Sequence, residues 1–209
     1  MIGHDVLSNW ASPRAPARRA AELLFDQSGD GSLESTLTGI TGRLGSAKFL
    51  VVNVNDIAVS TLGQAIDSFH RTGCGVRLCL AGSRQALMQV DALGLDNDRV
   101  GLMIDAVNAQ STWSDLIWDR LEAVRFNPEF VDCATRNMRF ACVLESMLAL
   151  AREVGLRTLG SYGAAQCASV SGQYDFDYLP TPVDSAPQSR ISGSVPRSYR
   201  SGVAAIVDR

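Results

Sequence analysis

The side chains in this 209-residue chain that could hold a metal or move a proton stand mainly in or at the ends of short apolar runs. Asp5, Asp105 and Asp177 are placed in this way, and Asn53 adds an amide carbonyl that can join carboxylates around a hard divalent cation. Such a cluster would suit metal-assisted hydrolysis, in which the ion polarises a substrate oxygen and activates water. The remaining run ends carry Gly82, Ile104, Ser161 and Ala164. They are small or apolar where a two-metal centre needs further carboxylates.

Other chemistries are weakly supplied. Cys74, Cys79, Cys133, Cys142 and Cys167 form no CxxC pair, and their odd number does not describe a disulfide framework, so most read as small buried residues. Neither His4 nor His70 has a second histidine at zinc-ligand spacing. Asp26-Gln27-Ser28-Gly29-Asp30-Gly31 begins like a calcium loop, but Leu37 stands where the twelfth-position glutamate belongs, and a solvated turn is the better reading. No GxGxxG, GxxxxGK[ST] or GxSxG motif occurs.

These residues sit in a chain that is 46% hydrophobic and 20% charged, which excludes fibrous and disordered classes. A net charge of -3 disfavours nucleic acid as a partner. No apolar run approaches the roughly 20 residues of a membrane span, and the opening MIGHDVLSNW lacks the layout of a signal peptide, so the protein is expected in the cytoplasm.

Apolar, β-branched runs alternate with amphipathic ones, the pattern of a parallel α/β fold. Strands are predicted at residues 2–7, 49–54, 76–81, 100–105, 123–126, 156–160 and 176–179, and helices at 18–25, 35–44, 61–71, 84–93, 112–121 and 135–154. In the last helix Met138, Val143, Met147, Leu148 and Ala151 recur at helical spacing, and Gly155 supplies the stop. Residues 183–200, rich in Ser, Pro, Arg and Gly, read as a flexible linker. Residues 201–209 then end in the apolar run Val203-Ala204-Ala205-Ile206-Val207. Seven strands plus this one make the count of a (β/α)8 barrel, whose chemistry lies at the C-terminal strand ends.

In order and spacing the segments resemble the EAL domain of bacterial cyclic-di-GMP phosphodiesterases, over nearly the whole chain. Gly3-His4-Asp5-Val6-Leu7-Ser8-Asn9-Trp10 is similar to the opening G-x-E-A-L-x-R-W, Leu50-Val51-Val52-Asn53-Val54 to the "SVN" strand, and Leu78-Cys79-Leu80-Ala81-Gly82-Ser83 to L-E-L-T-E-S. Leu102-Met103-Ile104-Asp105 through Arg125-Phe126-Asn127-Pro128-Glu129-Phe130-Val131 resembles A-L-D-D through K-I-D-x-x-F-V, and residues 143–156 resemble I-L-E-A-I-I-A-L-A-x-x-L-G-L. The short spacing between the second and third strands resembles that of the compact EAL-like domains linked to HDOD modules.

The resemblance implies a barrel over residues 1–182 and largely negative chemistry. Active members hold two divalent metals with carboxylates and an Asn, and use a Lys to position water and an Arg to contact the dinucleotide. Here Asp5 falls on the EAL glutamate, and Asn53 and Asp105 are kept. Gly82, Ile104, Ser161 and Ala164 replace carboxylates, Arg125 replaces the Lys, and Asn9 the ligand-contacting Arg. The expectation is a catalytically inactive domain without cofactor or metal, binding an unidentified regulatory protein in motility, biofilm or transcriptional control. A sensor that binds cyclic-di-GMP or another nucleotide without hydrolysis is the alternative, and residual phosphodiesterase activity the third reading. Trp113 and Trp118 lie on the helix through which active EAL domains dimerise, so they are interface candidates as well as barrel-packing residues. The family's first, antiparallel strand (Q-P-I-V-D) is expected to be missing at the N-terminus. Residues 204–209 either supply it or form a disordered tail.

Overall fold

The computed structural model describes residues 6–11, 19–24, 32–45, 47–96, 98–111, 114, 118–161 and 173–180. Eight strands form one sheet: β1 (Val6–Ala11), β2 (Arg19–Leu24), β3 (Ala47–Asn53), β4 (Arg77–Gly82), β5 (Val100–Val107), β6 (Leu121–Phe126), β7 (Arg157–Leu159) and β8 (Leu179–Pro180). The order is β7-β6-β5-β4-β3-β2-β1-β8. The ends of the sheet meet through a parallel bridge between Leu159 and Tyr178, which closes a ring. From β2 to β7 all neighbours are parallel, whereas β1 is antiparallel to both β2 and β8.

The barrel expected from the order of the runs is thus present, with two corrections near the N-terminus. Within the helix predicted at 18–25, Arg19–Leu24 is a strand between β1 and β3. Arg, Ala, Glu and Leu are strong helix formers, but pairing on both edges satisfies this segment's backbone as a strand, and tertiary context overrides propensity. The antiparallel strand expected to be missing is Val6–Ala11 itself. Residues 183–200 and 201–209 lie outside the described residues.

Among the described residues five α-helices cover the sheet: α1 (Leu33–Gly39), α2 (Val59–Arg71), α3 (Arg84–Asp91), α4 (Pro128–Arg136) and α5 (Met138–Glu153). Helix α2 buries Leu62, Ala65, Ile66 and Phe69, one stripe at helical spacing. The helix predicted at 135–154 is divided, because Asn137 leaves helical geometry to end α4 and cap α5, its side chain accepting from Arg139 N at 2.9 Å. Gly155 does terminate α5, with φ 78° and Leu156 N donating to Ala151 O at 2.8 Å. Of the helix predicted at 112–121, residues 112, 113 and 115–117 are outside the description, and Leu121 already opens β6.

Alternation along the strands sorts the apolar side chains into two cores. Leu50, Val52, Leu78, Leu80, Leu102, Ile104 and Val124 join the helices in the outer layer. Phe49, Val51, Cys79, Ala81, Met103, Ala123, Leu159 and Tyr178 fill the inside of the ring. Phe49 and Tyr178 meet edge to face at 5.0 Å, and the Arg157 guanidinium lies 5.8 Å from the Phe49 ring centroid. The interior is a packed core, so chemistry is confined to its mouth.

Candidate functional site

The inward parity that places Val51, Ala81, Met103 and Ala123 inside the ring continues one step upward to polar residues. Asn53 ends β3, Asp105 lies near the end of β5 and Arg125 near the end of β6. From β2, Glu22 pairs in register with Val51 and faces the same interior.

Arg125 joins these groups. Its Nε donates to Asp105 Oδ1 at 2.7 Å and its Nη2 to Asp105 Oδ2 at 2.6 Å, a two-pronged pair, while Nη1 donates to Glu22 Oε1. The three side chains retain only 9, 10 and 7% of their exposure for Arg125, Asp105 and Glu22. Burial works against the charge on Arg125, but the hydrogen bonds and charges of Asp105 and Glu22 outweigh it and hold the guanidinium above its ordinary pKa.

Asn53 contributes through its donor end. Its Nδ2 donates to Asp105 Oδ2 at 3.1 Å, and its Oδ1 accepts from Asn55 N at 3.0 Å. The amide oxygen, the atom a metal would need, is therefore committed to the backbone. Behind Asp105 the chain carries Ala106 at φ 57°, the single non-glycine residue with positive φ among the described residues. Ala106 N donates to Asp105 Oδ1 at 2.7 Å, and the β5–β6 register shifts at this point. Left-handed backbone in a residue with a Cβ costs roughly 1–2 kcal/mol, and here it turns the Asp105 carboxylate onto its own backbone as well as onto Arg125.

The other predicted positions are distributed less simply. Gly82 ends β4, but a Cβ there would point at Asn55 Oδ1 (3.1 Å), Val54 Cγ2 (3.2 Å) and Ala86 Cβ (3.5 Å), towards the rim and α3. Ile104 is buried in the outer layer. Ser161 is half-buried, two residues beyond β7. Asp177 is occupied structurally, its Oδ2 accepting from Thr158 N at 2.8 Å and Thr158 Oγ1 at 2.9 Å. Asn9 lies on β1, opposite Ala21. Trp118 is half-buried against the outer core. Asp5, Ala164 and Trp113 lie outside the described residues, as do His4, Cys167 and the calcium-like turn up to Gly31.

Glu22 is the site residue that sequence reasoning missed. Its signal was legible: Ala21-Glu22-Leu23-Leu24 places an acid inside an apolar run with the acid-apolar-Leu layout of E-A-L itself. The helical composition around it, and the likeness of Gly3-His4-Asp5-Val6-Leu7 to the same motif, hide it.

Among the described residues, Glu22, Asp105 and Asn53 are the groups at the mouth through which a divalent ion could be held. Both carboxylates are engaged by one guanidinium, and the amide oxygen by a backbone N–H. Among the described residues no group of three or more His, Cys, Asp or Glu side chains gathers at metal-binding distance. As they stand, these donors do not fit a pair of divalent metals.

No family model and no curated protein sequence matches the chain. Among solved structures it is similar to the EAL domain of Mycobacterium smegmatis DcpA, at 14% identity over 85% of this chain and 90% of that one, with TM-score 0.58. It is similar to the FimX EAL domain from Pseudomonas aeruginosa bound to c-di-GMP, at 14% identity over 85% and 87%, with TM-score 0.60. It is also similar to the EAL enzyme Bd1971 in its cAMP-bound form, at 10% identity over 85% of this chain, with TM-score 0.61; it spans 60% of that chain. The closed ring, the antiparallel β1 beside a parallel series and these likenesses together identify the fold of the chain as that of the EAL domain.

Proposed function

We propose that this chain is a catalytically inactive EAL-type domain that works as a regulatory protein-interaction module in signalling. The observation that carries the reading is the pairing of both mouth carboxylates with Arg125. A hydrolytic centre of the EAL kind needs anionic oxygens free for divalent ions. Here Glu22 and Asp105 are both engaged from within by Arg125, Ile104 turns hydrocarbon into the outer core, and Gly82 offers no side chain.

Arginine also fails as a replacement for a lysine that handles water, since its proton is held far above any working pH. The Glu22–Asp105–Arg125 group carries one net negative charge, which disfavours entry of a dianionic dinucleotide in the absence of metal. Outside the mouth, Met88, Met138 and Phe140 are large apolar side chains left exposed, the kind of residue that anchors partner proteins.

The test is calorimetric titration with cyclic-di-GMP, with and without magnesium or calcium, together with an assay for linear product at stoichiometric protein. No heat and no product are expected, with capture of a partner protein from the native cell as the positive result. Linear product abolished by Asp105→Ala would overturn the reading. Binding without product would instead establish a sensor.

A further inference from the structure

A mouth lined by two nearly buried carboxylates needs a cation. Charges taken from water are retained only when opposite charge and hydrogen bonds replace their hydration. In this protein the opposite charge is supplied by one side chain. Arg125 spans from β6 to Asp105 on β5 and to Glu22 on β2, which lies across the ring. Asn53 from β3 completes the group by donating to Asp105 with its amide nitrogen.

We infer that the Arg125 guanidinium is the resident cation of this mouth, seated where a divalent metal would otherwise lie between Glu22, Asn53 and Asp105. Removing its charge therefore turns the mouth into a divalent-cation site. The orientation of Asn53 and the geometry of the ion pairs support the assignment. The Asn53 amide is turned with its donor towards Asp105 and its oxygen towards Asn55 N, an orientation that serves a carboxylate already paired with an organic cation. The guanidinium fork also matches the two oxygens of Asp105 and reaches Glu22 with a third donor, so one planar group supplies the multidirectional contacts of an ion. Without Arg125, two carboxylates and the amide oxygen, freed by rotation of Asn53, form a hard-oxygen set for manganese or calcium.

The inference deepens the proposed function and rests on the same mouth, but its experiment reads stability rather than turnover. Full-length wild type, Arg125→Met and Arg125→Lys are melted in EDTA, in manganese and in calcium. Wild type is expected to be indifferent to all three. Arg125→Met should melt roughly 10 °C lower in EDTA. It should recover roughly 5–10 °C when the ion exceeds its dissociation constant about a hundredfold. Arg125→Lys, the variant to use if the methionine protein does not fold, keeps the charge but lacks the fork that engages Asp105 and Glu22 together, and should show a smaller gain in the same direction. Adding Glu22→Gln and Asp105→Asn to Arg125→Met should abolish the response to ions. Stabilisation of wild type by several degrees, lost in Asp105→Asn, would overturn the inference. So would indifference to ions in both Arg125 variants. A wild type that captures no partner yet stays indifferent to ions while Arg125→Met responds would refute the proposed function and support this assignment.

Discussion

Arg125 and Asp105 face each other from neighbouring strands through two nearly parallel hydrogen bonds of 2.7 and 2.6 Å, and the same guanidinium holds Glu22 from the far side of the ring. Truncating one member leaves charge buried without its partner. Asp105→Asn is expected to cost about 3–5 kcal/mol in urea denaturation, whereas replacing Glu22, Asp105 and Arg125 together by apolar residues of similar volume should cost far less. Equal losses in the single and triple variants would contradict a mouth organised around this pair.

Helices α4 and α5 each begin on an asparagine side chain. Asn127 Oδ1 accepts from Glu129 N at 2.8 Å and Phe130 N at 3.3 Å, and Asn137 Oδ1 from Arg139 N at 2.9 Å. Asn127→Ala and Asn137→Ala should each cost about 1 kcal/mol. Because the caps serve different helices, the double variant should lie near the sum in denaturant midpoint.

Gly101 leaves room for a charge pair that passes over β5. Arg77 on β4 reaches Glu122 on β6 through Nε at 3.1 Å, and a Cβ on Gly101 would lie 2.6 Å from Glu122 Oε2. Gly101→Ala should therefore destabilise by about 1–2 kcal/mol. The same substitution in a Glu122→Ala background should be close to neutral, and a double-mutant cycle measures the difference.

Burial, reinforced by the charge of Glu122, pushes the Cys79 thiol from 9.0 up to about 12. The folded chain keeps this proton where the unfolded chain releases it, so stability should fall as pH rises from about 9 towards 12. Peptide mapping after alkylation at pH 8 should find the exposed Cys142 modified and Cys79 intact. Early labelling of Cys79 in native protein would disprove its burial.

The place expected for residues 204–209 is filled by β1, which pairs with β2 over six positions and with β8 over two. Deleting residues 201–209 should leave the melting temperature unchanged. A large loss on scanning calorimetry would show that the segment docks elsewhere on the barrel.

The parallel strands were legible because each is buried on both faces and reads as a continuous apolar run: Leu50-Val51-Val52, Leu78-Cys79-Leu80 and Leu102-Met103-Ile104. Arg19–Leu24 was not, since Arg, Ala, Glu and Leu carry helical propensity and only the neighbours β1 and β3 make them a strand. The same error hid Glu22. Asn53 and Asp105 are legible as strand-end residues and Arg125 through the family resemblance, and a barrel gathers such ends at one mouth; their direct pairing depends on the inward parity of three strands and on the Ala106 turn, which no local pattern specifies. The break at Asn137 escaped because helical spacing runs through α4 and α5 in sequence while the backbone resets between them.

Closure of the ring has a kinetic consequence. The parallel neighbours β3 to β6 lie within one stretch of chain, but the seam joins residue 10 to residue 180 and rests on two β1–β8 pairs and one Leu159–Tyr178 bridge. Closing so long a loop costs roughly 5 kcal/mol of chain entropy, so folding should nucleate in the central strands and complete the circle last. By the same token the native barrel should breathe at this seam first, exchanging the amide hydrogens of Tyr178 and Leu179 well before those of β4 and β5.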